Sequence, residues 1–184
     1  MKRMLSFLSL AFVLSLPATA ALCQTAPQLT PQAAPRVNVH IVARHADGTI
    51  FYDNAIHNLR TTGGADWQAA VMGGSQPNPA TYIALTNDGA AAAAGDCAAG
   101  STTCTLASEI TTNGLARHVA TYAHTNGTNT WALTYTWTAT GTQSVQKAGM
   151  FNAASSGTMV FETNFTQVNL VATDTLGATW TVTY

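Results

Sequence analysis

The chain has 184 residues and a formal net charge of −1, and charged residues make up only 8% of it. This balance argues against a nucleic-acid-binding protein, which needs a basic face, and against electrostatic binding to membranes. Long surface helices usually carry Glu and Lys. Because these residues are scarce in this chain, the composition favours extended β-structure whose outer faces are covered by Thr.

The first 20 residues predict a secretory signal peptide. A basic start precedes an apolar run over residues 5–16, and an Ala-x-Ala motif ends at Ala20. The run is shorter than a membrane span, which needs about 20 residues. We therefore expect a secreted protein (extracellular, periplasmic or at the cell surface) without a membrane span. Cleavage after Cys23 is an alternative, because Ala21 also satisfies the small-residue rule.

Residues 21–35 predict an extended linker that is rich in Pro and Gln, and residues 36–184 are expected to form a single domain. Apolar and polar side chains alternate over residues 36–45, RVNVHIVARH, which is typical of a half-buried strand. The Ala-Asp-Gly that follows predicts a turn. Since residues 49–59 continue as a second strand, this segment predicts a β-hairpin.

Residues 61–74, TTGGADWQAAVMGG, are the best helix candidate. Either of the two leading threonines suits the N-cap, and the closing pair of glycines suits the end of the helix. Trp67, Ala70 and Val71 fall on one helical face, so we expect this face to dock on a sheet. The next apolar segment, TYIALT at residues 81–86, predicts a short buried strand.

Cys97 and Cys104 close a short loop, CAAGSTTC. In an oxidising compartment this pair predicts a disulfide, which would stabilise the fold by roughly 2–3 kcal/mol. A zinc site is the alternative use of the pair, but the spacing and the lack of an adjacent His argue against it. We therefore expect no metal and no cofactor. Cys23 has no predicted partner, and its fate is open.

Residues 105–110, TLASEI, predict one helical turn, and residues 115–184 then predict almost continuous β-structure. The strands LARHVATYAHT and TWALTYTWTAT flank NGTN, which is a strong hairpin signal. Three further strands follow, each with alternating apolar residues. About seven or eight strands with Thr-covered faces predict a mainly β fold, an antiparallel β-sandwich with one docked α-helix.

The small-residue segment NAASSG, residues 152–157, raises the question of a catalytic serine. It lies between two strands of alternating apolar residues and has the composition of a tight bend. No Gly-x-Ser-x-Gly context surrounds Ser155 or Ser156, and no base is evident. We interpret both serines as turn residues.

Five segments together resemble a group of small structural proteins of tailed bacteriophages, found in tail fibres or associated with the virion. In chain order they are IHNLRTTGGADWQAAVMGG, TYIALTNDG, SEITTNGLAR, KAGMFNAASSGTMVFETNF and DTLGATWTVTY. The resemblance covers about residues 36–184. It implies a β-rich, non-enzymatic subunit that assembles into larger particles, and it carries over no catalytic residue. The export signal departs from that group and favours a relative that bacteria export as an extracellular or envelope module.

Histidine spacing gives little support for a metal site. His40 and His45 are five residues apart, which on a strand places them on opposite faces. His118 and His124 share a face but lie about 20 Å apart at strand rise. A site that brings His57 or His40 close to His118 from a neighbouring strand is the alternative.

A glycosidase needs two carboxylates that face each other across a cleft. Nothing in the sequence pairs any two of the acids, so we expect no enzyme, and a hydrolase ranks third among the functions considered. The eight acidic residues are Asp47, Asp53, Asp66, Asp88, Asp96, Glu109, Glu162 and Asp174.

Trp131, Leu133, Tyr135 and Trp137 share one face of a predicted strand. We interpret this face as the inward, core-facing one, because the opposite face is uniformly Thr and a core needs large residues. The alternative is an exposed platform in which Trp131, Tyr135 and Trp137 stack on sugar rings. In that case the protein would be a secreted carbohydrate-binding module with a partner such as a cell-surface glycan.

A Thr- and Ala-rich sandwich with few charges has little to protect its edge strands from pairing. The linker at residues 21–35 could also add to a neighbour's sheet as an extra strand. The sequence therefore predicts an exported, non-catalytic structural or adhesive module that forms homo-oligomers or binds other structural subunits.

Overall fold

A computed structural model describes residues 35–75 and 78–184, which belong to one compact unit. The predicted signal peptide and the predicted linker up to residue 34 lie outside the described residues. Within the described part of the chain, no helix is long and apolar enough to cross a membrane.

The fold is an antiparallel β-sandwich with one α-helix, as predicted. The first sheet has the order β2-β1-β10-β7-β6 and the second has the order β3-β9-β8-β4-β5. The elements are β1 (Arg36–Arg44), β2 (Ile50–His57), β3 (Leu59–Arg60), α1 (Thr62–Met72), β4 (Tyr82–Thr86), a 3₁₀ turn (Ala94–Asp96), β5 (His118–Val119), β6 (Thr121–His124), β7 (Thr130–Thr138), β8 (Gln143–Phe151), β9 (Met159–Leu170) and β10 (Thr175–Thr183).

The described residues contain ten strands, where about seven or eight were expected. One reason is that LARHVATYAHT is not a single strand. Its first part, β5, pairs with β4 in the second sheet, whereas β6 pairs with β7 in the first. Between them Ala120 is buried, and its N–H donates to the carbonyl of Thr81 over 2.7 Å. The chain therefore changes sheets at a point that periodicity alone does not mark.

Both predicted hairpins are confirmed. β1 pairs with β2 across the turn that contains Gly48, and β6 pairs with β7 across the turn that contains Gly127. Both glycines have a positive φ, of +87° and +85°, which glycine adopts without strain.

The core lies between the two sheets. In β10 the side chains of Leu176, Ala178, Trp180 and Val182 are fully buried, and each alternates with a half-buried Thr or Gly. The ring of Trp180 lies 6.4 Å from that of Phe161 on β9, measured between centroids, so it contacts the opposite sheet. The alternation seen in the sequence is therefore the inward face of a central strand.

Helix α1 begins and ends where predicted. The side chain of Thr61 accepts a hydrogen bond from the N–H of Gly64 over 2.8 Å, and Gly73 caps the other end. The predicted docking face is confirmed only in part, since Trp67 is partly buried against the core whereas Val71 is 39% exposed. The helix docks through Gly63, Gly64 and Gln68, because the bare backbone of Gly64 packs directly on β9.

The outer face of the second sheet is covered by residues 87–117, and the predicted disulfide is confirmed there. Cys97 and Cys104 are joined, with their Cα atoms 5.4 Å apart. They pack with Leu106, Phe151 and Met159 in a small second core.

The predicted helical turn at residues 105–110 is wrong. The hydroxyl of Thr86 donates to the carbonyls of Ala107 and Ser108, and Ser108 has a φ of +52°. Glu109 then forms a bridge with Thr86. These contacts hold the segment against the edge of β4 in a tight turn. The positive φ of Ser108 is incompatible with a right-handed helix.

The segment at residues 152–157 is a turn, as interpreted. Ser156 has a φ of +52°. Arg117 donates to the carbonyls of Ala153 and Ser156 over 3.1 and 2.8 Å, and its guanidinium lies over the ring of Phe151. The turn is thus held by a buried arginine that also forms an ion pair with Glu109.

Candidate functional site

A buried lysine lies in the middle of strand β8. The side chain of Lys147 is only 3% exposed, and its Nζ lies 3.0 Å from Oε1 of Glu162 and 3.3 Å from Oδ2 of Asp88. The carboxyl of Asp96 lies beside that of Glu162 and raises its pKa. We call Lys147, Glu162, Asp88 and Asp96 the Lys147 cluster.

The order of the second sheet places these groups together. Strand β8 lies between β9 and β4, so Lys147 is opposite Asn164 on one side and Thr86 on the other. Glu162 is opposite Gly149, which makes it a diagonal neighbour of Lys147. Asp88 follows the end of β4 by two residues. Strand β8, strand β9 and the segment that follows β4 therefore each contribute one group.

Asp88 is held by the backbone around it. Its N–H donates to the hydroxyl of Thr86, and its Oδ1 accepts the N–H of Ala90, each over 3.0 Å. The bond from Ala90, with help from Lys147, lowers the pKa of Asp88. This leaves Oδ2 facing the lysine.

Glu162 is the group whose protonation is most altered. Its side chain is 3% exposed, and Oε2 has no hydrogen-bond partner among the described residues. Burial, and next the Asp96 carboxyl, raise the pKa of Glu162 against the opposing effect of Lys147, and the net result is a pKa of about 7. Near neutral pH this carboxyl therefore both holds and releases a proton.

Lys147 keeps its charge despite its burial. Burial lowers the pKa of a lysine, but the bonds to Glu162 and Asp88 outweigh that effect and raise the pKa of Lys147. With one ammonium and three carboxyl groups, the cluster has fewer positive than negative charges, which explains why one acid retains a proton.

The cluster lines a pocket of about 260 Å³ whose remaining wall is formed largely by small residues, among them Ala90, Ala91 and Ala107. It places an amine, a carboxyl fixed by a backbone N–H and a proton-carrying acid within contact distance. These are the components of an acyl transfer between side chains. No grouping of three or more metal-binding side chains occurs within the described residues.

Sequence reasoning missed this cluster. Asp88, Asp96 and Glu162 were all considered, but no pairing between them was predicted, and Lys147 was not considered at all. One signal was available: Lys147 is the only lysine after Lys2, and it directly precedes the apolar, buried residues 148–151 of its strand. A lone charge at such a position indicates a buried partner on a neighbouring strand.

The three aromatic residues considered as a sugar platform lie in different surroundings. Trp137 is 2% exposed, and its Nε1 donates to the carbonyl of Ala116 over 2.9 Å. Tyr135 is half-buried and stacks on the ring of His118. Trp131 is half-buried at the edge of the core. The three therefore do not present one open face.

Trp131 instead lines a groove of about 210 Å³ with aromatic residues from other elements. The groove is bordered by Trp67 of α1, Tyr122 of β6 and Tyr184 at the end of the chain. The rings of Tyr122 and Trp131 are 6.0 Å apart. Because these residues are distant in sequence, only the fold brings them together.

Two of the histidines pair with an aspartate on another segment of the chain. Nε2 of His40 lies 2.6 Å from Oδ1 of Asp53, and Nδ1 of His45 lies 3.1 Å from Oδ1 of Asp174. His118 and His124, predicted on one strand, lie on β5 and β6 in different sheets.

Comparisons of the chain with protein-family models, with curated proteins and with solved structures found no match. They do not bear on the resemblance to phage structural proteins, which stays a prediction.

Proposed function

We propose that this chain is an exported, non-catalytic structural or adhesive module that assembles with further copies of itself. The disulfide between Cys97 and Cys104 supports an oxidising compartment. The same function was expected from the sequence. The long edge strand β2 of the first sheet offers a specific surface for assembly.

The observation that carries the proposal is the length of strand β2. Of the four edge strands, β3 and β5 have two residues each and β6 has four, whereas β2 has eight. Short edge strands are protected from pairing with another chain, but a long one offers a row of backbone donors and acceptors. Within the described residues, no strand pairs with the outer edge of β2.

The side chains of β2 favour pairing. Ile50 and Phe51 are 45% and 36% exposed, and the strand has no Lys, Arg or Pro to block an incoming strand. Its one acid, Asp53, is bound by His40. A second copy of β2 placed antiparallel to the first would close this edge with a two-fold axis.

The test is a pair of Ala→Lys substitutions at opposite edges of the first sheet. Ala55→Lys places a charge in the middle of β2, and the matched control Ala123→Lys places one in the middle of β6; both alanines are exposed. By size-exclusion chromatography with light scattering, we expect an oligomer for the wild type and for Ala123→Lys, and a smaller species for Ala55→Lys. A monomeric wild type, or equal disruption by both variants, would contradict the proposal.

A carbohydrate-binding module is the second candidate, and the aromatic groove favours it. Aromatic rings on a groove wall suit stacking against sugars. On a glycan array, Trp131→Ala should lose binding while Ala55→Lys, with its groove unchanged, keeps it. Assembly without glycan binding supports the first candidate, and glycan binding by a monomer supports the second.

A further inference from the structure

The Lys147 cluster contains a buried nucleophile, a buried proton carrier and an electrophile, Asp88, whose side chain is 25% exposed, and none of them is needed for assembly through β2. A buried ion pair is costly because both charges lose their hydration. Here an ammonium that is 3% exposed faces two carboxyl groups, with a third beside them. A reaction that removes one positive and one negative charge would relieve this cost.

We propose that Lys147 and Asp88 condense to form an intramolecular amide bond, with Glu162 as the proton carrier. The product would cross-link strand β8 to the segment that follows β4. The proposal does not depend on the assembly function.

The reaction balances without any cofactor. The reactive form is the neutral pair: a proton passes from the ammonium of Lys147 to the carboxylate of Asp88, against the direction of both pKa shifts, and Nζ then attacks Cγ to form the C–N bond. Glu162 accepts a proton from the nitrogen and returns it to the departing oxygen, so the C–O bond breaks and one water leaves. Glu162 ends in its starting protonation state, and nothing is oxidised or reduced.

The contacts of Asp88 fit this role. Oδ2, the oxygen nearest to Nζ, is the one that departs. Oδ1 accepts the N–H of Ala90, which would stabilise the negative charge that develops on that oxygen during attack. Because the fold fixes the amine and the carboxyl in contact, the reaction has the advantage of a high effective concentration.

The contacts of Glu162 fit proton transfer instead. Oε1 lies 3.0 Å from the nitrogen, and Oε2 has no hydrogen-bond partner among the described residues, so neither oxygen has the backbone donor that Asp88 has. A pKa of about 7 allows the carboxyl both to accept and to donate a proton at neutral pH.

The test is mass spectrometry of the full chain after denaturation, reduction and alkylation. We expect the wild type to lack the mass of one water relative to its sequence. Proteolysis should yield a branched peptide that joins the segments around residues 88 and 147. Because Lys147 is the only lysine after Lys2, the site of attachment can be assigned without ambiguity.

Three variants test the roles of Lys147, Asp88 and Glu162 in the cross-link, and a fourth variant is the control. Lys147→Arg and Asp88→Ala should keep the full mass, and Glu162→Gln should form the cross-link more slowly, on the order of a hundredfold. Asp53→Ala, which removes an exposed acid elsewhere, should lose water like the wild type.

Two results would overturn the proposal. One is the full sequence mass in folded wild type aged at neutral pH. The other is a water loss that proteolysis confines to the linear peptide around Asp88, since cyclisation at Asp88-Gly89 also releases water without joining Lys147. Reversal by mild alkali would mark that cyclisation, whereas the amide would persist.

Discussion

Glu162 illustrates how burial changes the chemistry of a single residue. In water its carboxyl would be ionised at neutral pH, but in the sandwich it is buried beside Asp96. The unfolded chain therefore releases this proton near pH 4.5, whereas the folded chain releases it only near pH 7. Between these values the folded state binds more protons than the unfolded state.

The stability of the protein should consequently decrease as the pH rises from about 4.5 to 7. We expect Glu162 to contribute about 2–3 kcal/mol to the free energy of unfolding at pH 5 that is lost by pH 8. Asp96 raises the pKa of Glu162 and Lys147 lowers it, and amide formation would raise this pKa further because the opposing ammonium disappears. The stability of the protein should therefore decrease with rising pH both before and after the cross-link forms.

Urea denaturation of the wild type and of Glu162→Gln at several pH values would measure this contribution. Glutamine is neutral at every pH, so the variant should have the flatter pH profile. Contributions from groups elsewhere in the chain are common to both proteins and cancel in the difference. Parallel profiles would show that Glu162 is ionised in the folded protein.

Helix α1 docks through bare backbone as well as through the ring of Trp67. The atoms of Val160 fill the space that a side chain at Gly64 would occupy, since a Cβ there would lie 2.1 Å from the Val160 carbonyl oxygen. The same end of the helix is fixed by the hydroxyl of Thr61 and by the carbonyl of Cys97, which accepts the N–H of Gly63. The start of α1 is thus tied to β9 and to the disulfide loop.

Gly64→Ala should therefore be strongly destabilising, by about 2–3 kcal/mol, because the methyl group forces the helix away from β9. In an ordinary helix the same change would stabilise. Gly95→Ala is the matched control, since a Cβ there meets no atom within 4 Å. Chemical denaturation of both variants measures the effect, and equal midpoints would show that α1 can shift without cost.

At the scale of the whole molecule, the two sheets are held together by one continuous core. Trp180 lies at its centre on β10, is fully buried and contacts Phe161 of the opposite sheet. Its Nε1 has no hydrogen-bond partner among the described residues. The buried ring of Trp180 therefore stabilises the packing of the two sheets, whereas its unsatisfied N–H destabilises the fold.

Replacing Trp180 tests how far the sheets depend on each other. Trp180→Ala should cost about 3–5 kcal/mol because it leaves a large cavity between the sheets. Trp180→Phe should cost about 1–2 kcal/mol, since it keeps most of the contact and removes the unsatisfied N–H. Thermal unfolding followed by circular dichroism should remain a single transition in both. Two separate transitions would show that the sheets unfold independently.

The sequence by itself determined the fold class, both hairpins, the ends of α1 and the disulfide. Each of these depends on a local pattern: alternation in a strand such as β10, a turn such as Asn126-Gly127, a cap such as Thr61, or two cysteines in a short loop. Local patterns are visible in sequence because the interacting residues are close along the chain.

Tertiary structure alone decided that α1 also docks through Gly63 and Gly64, where the chain crosses between the sheets, and how the Lys147 cluster and the aromatic groove form. Lys147 and Asp88 are separated by 59 residues, and only the order β9-β8-β4 brings them together. Strand order depends on the packing energy of the entire sandwich, and no short pattern of residues encodes it.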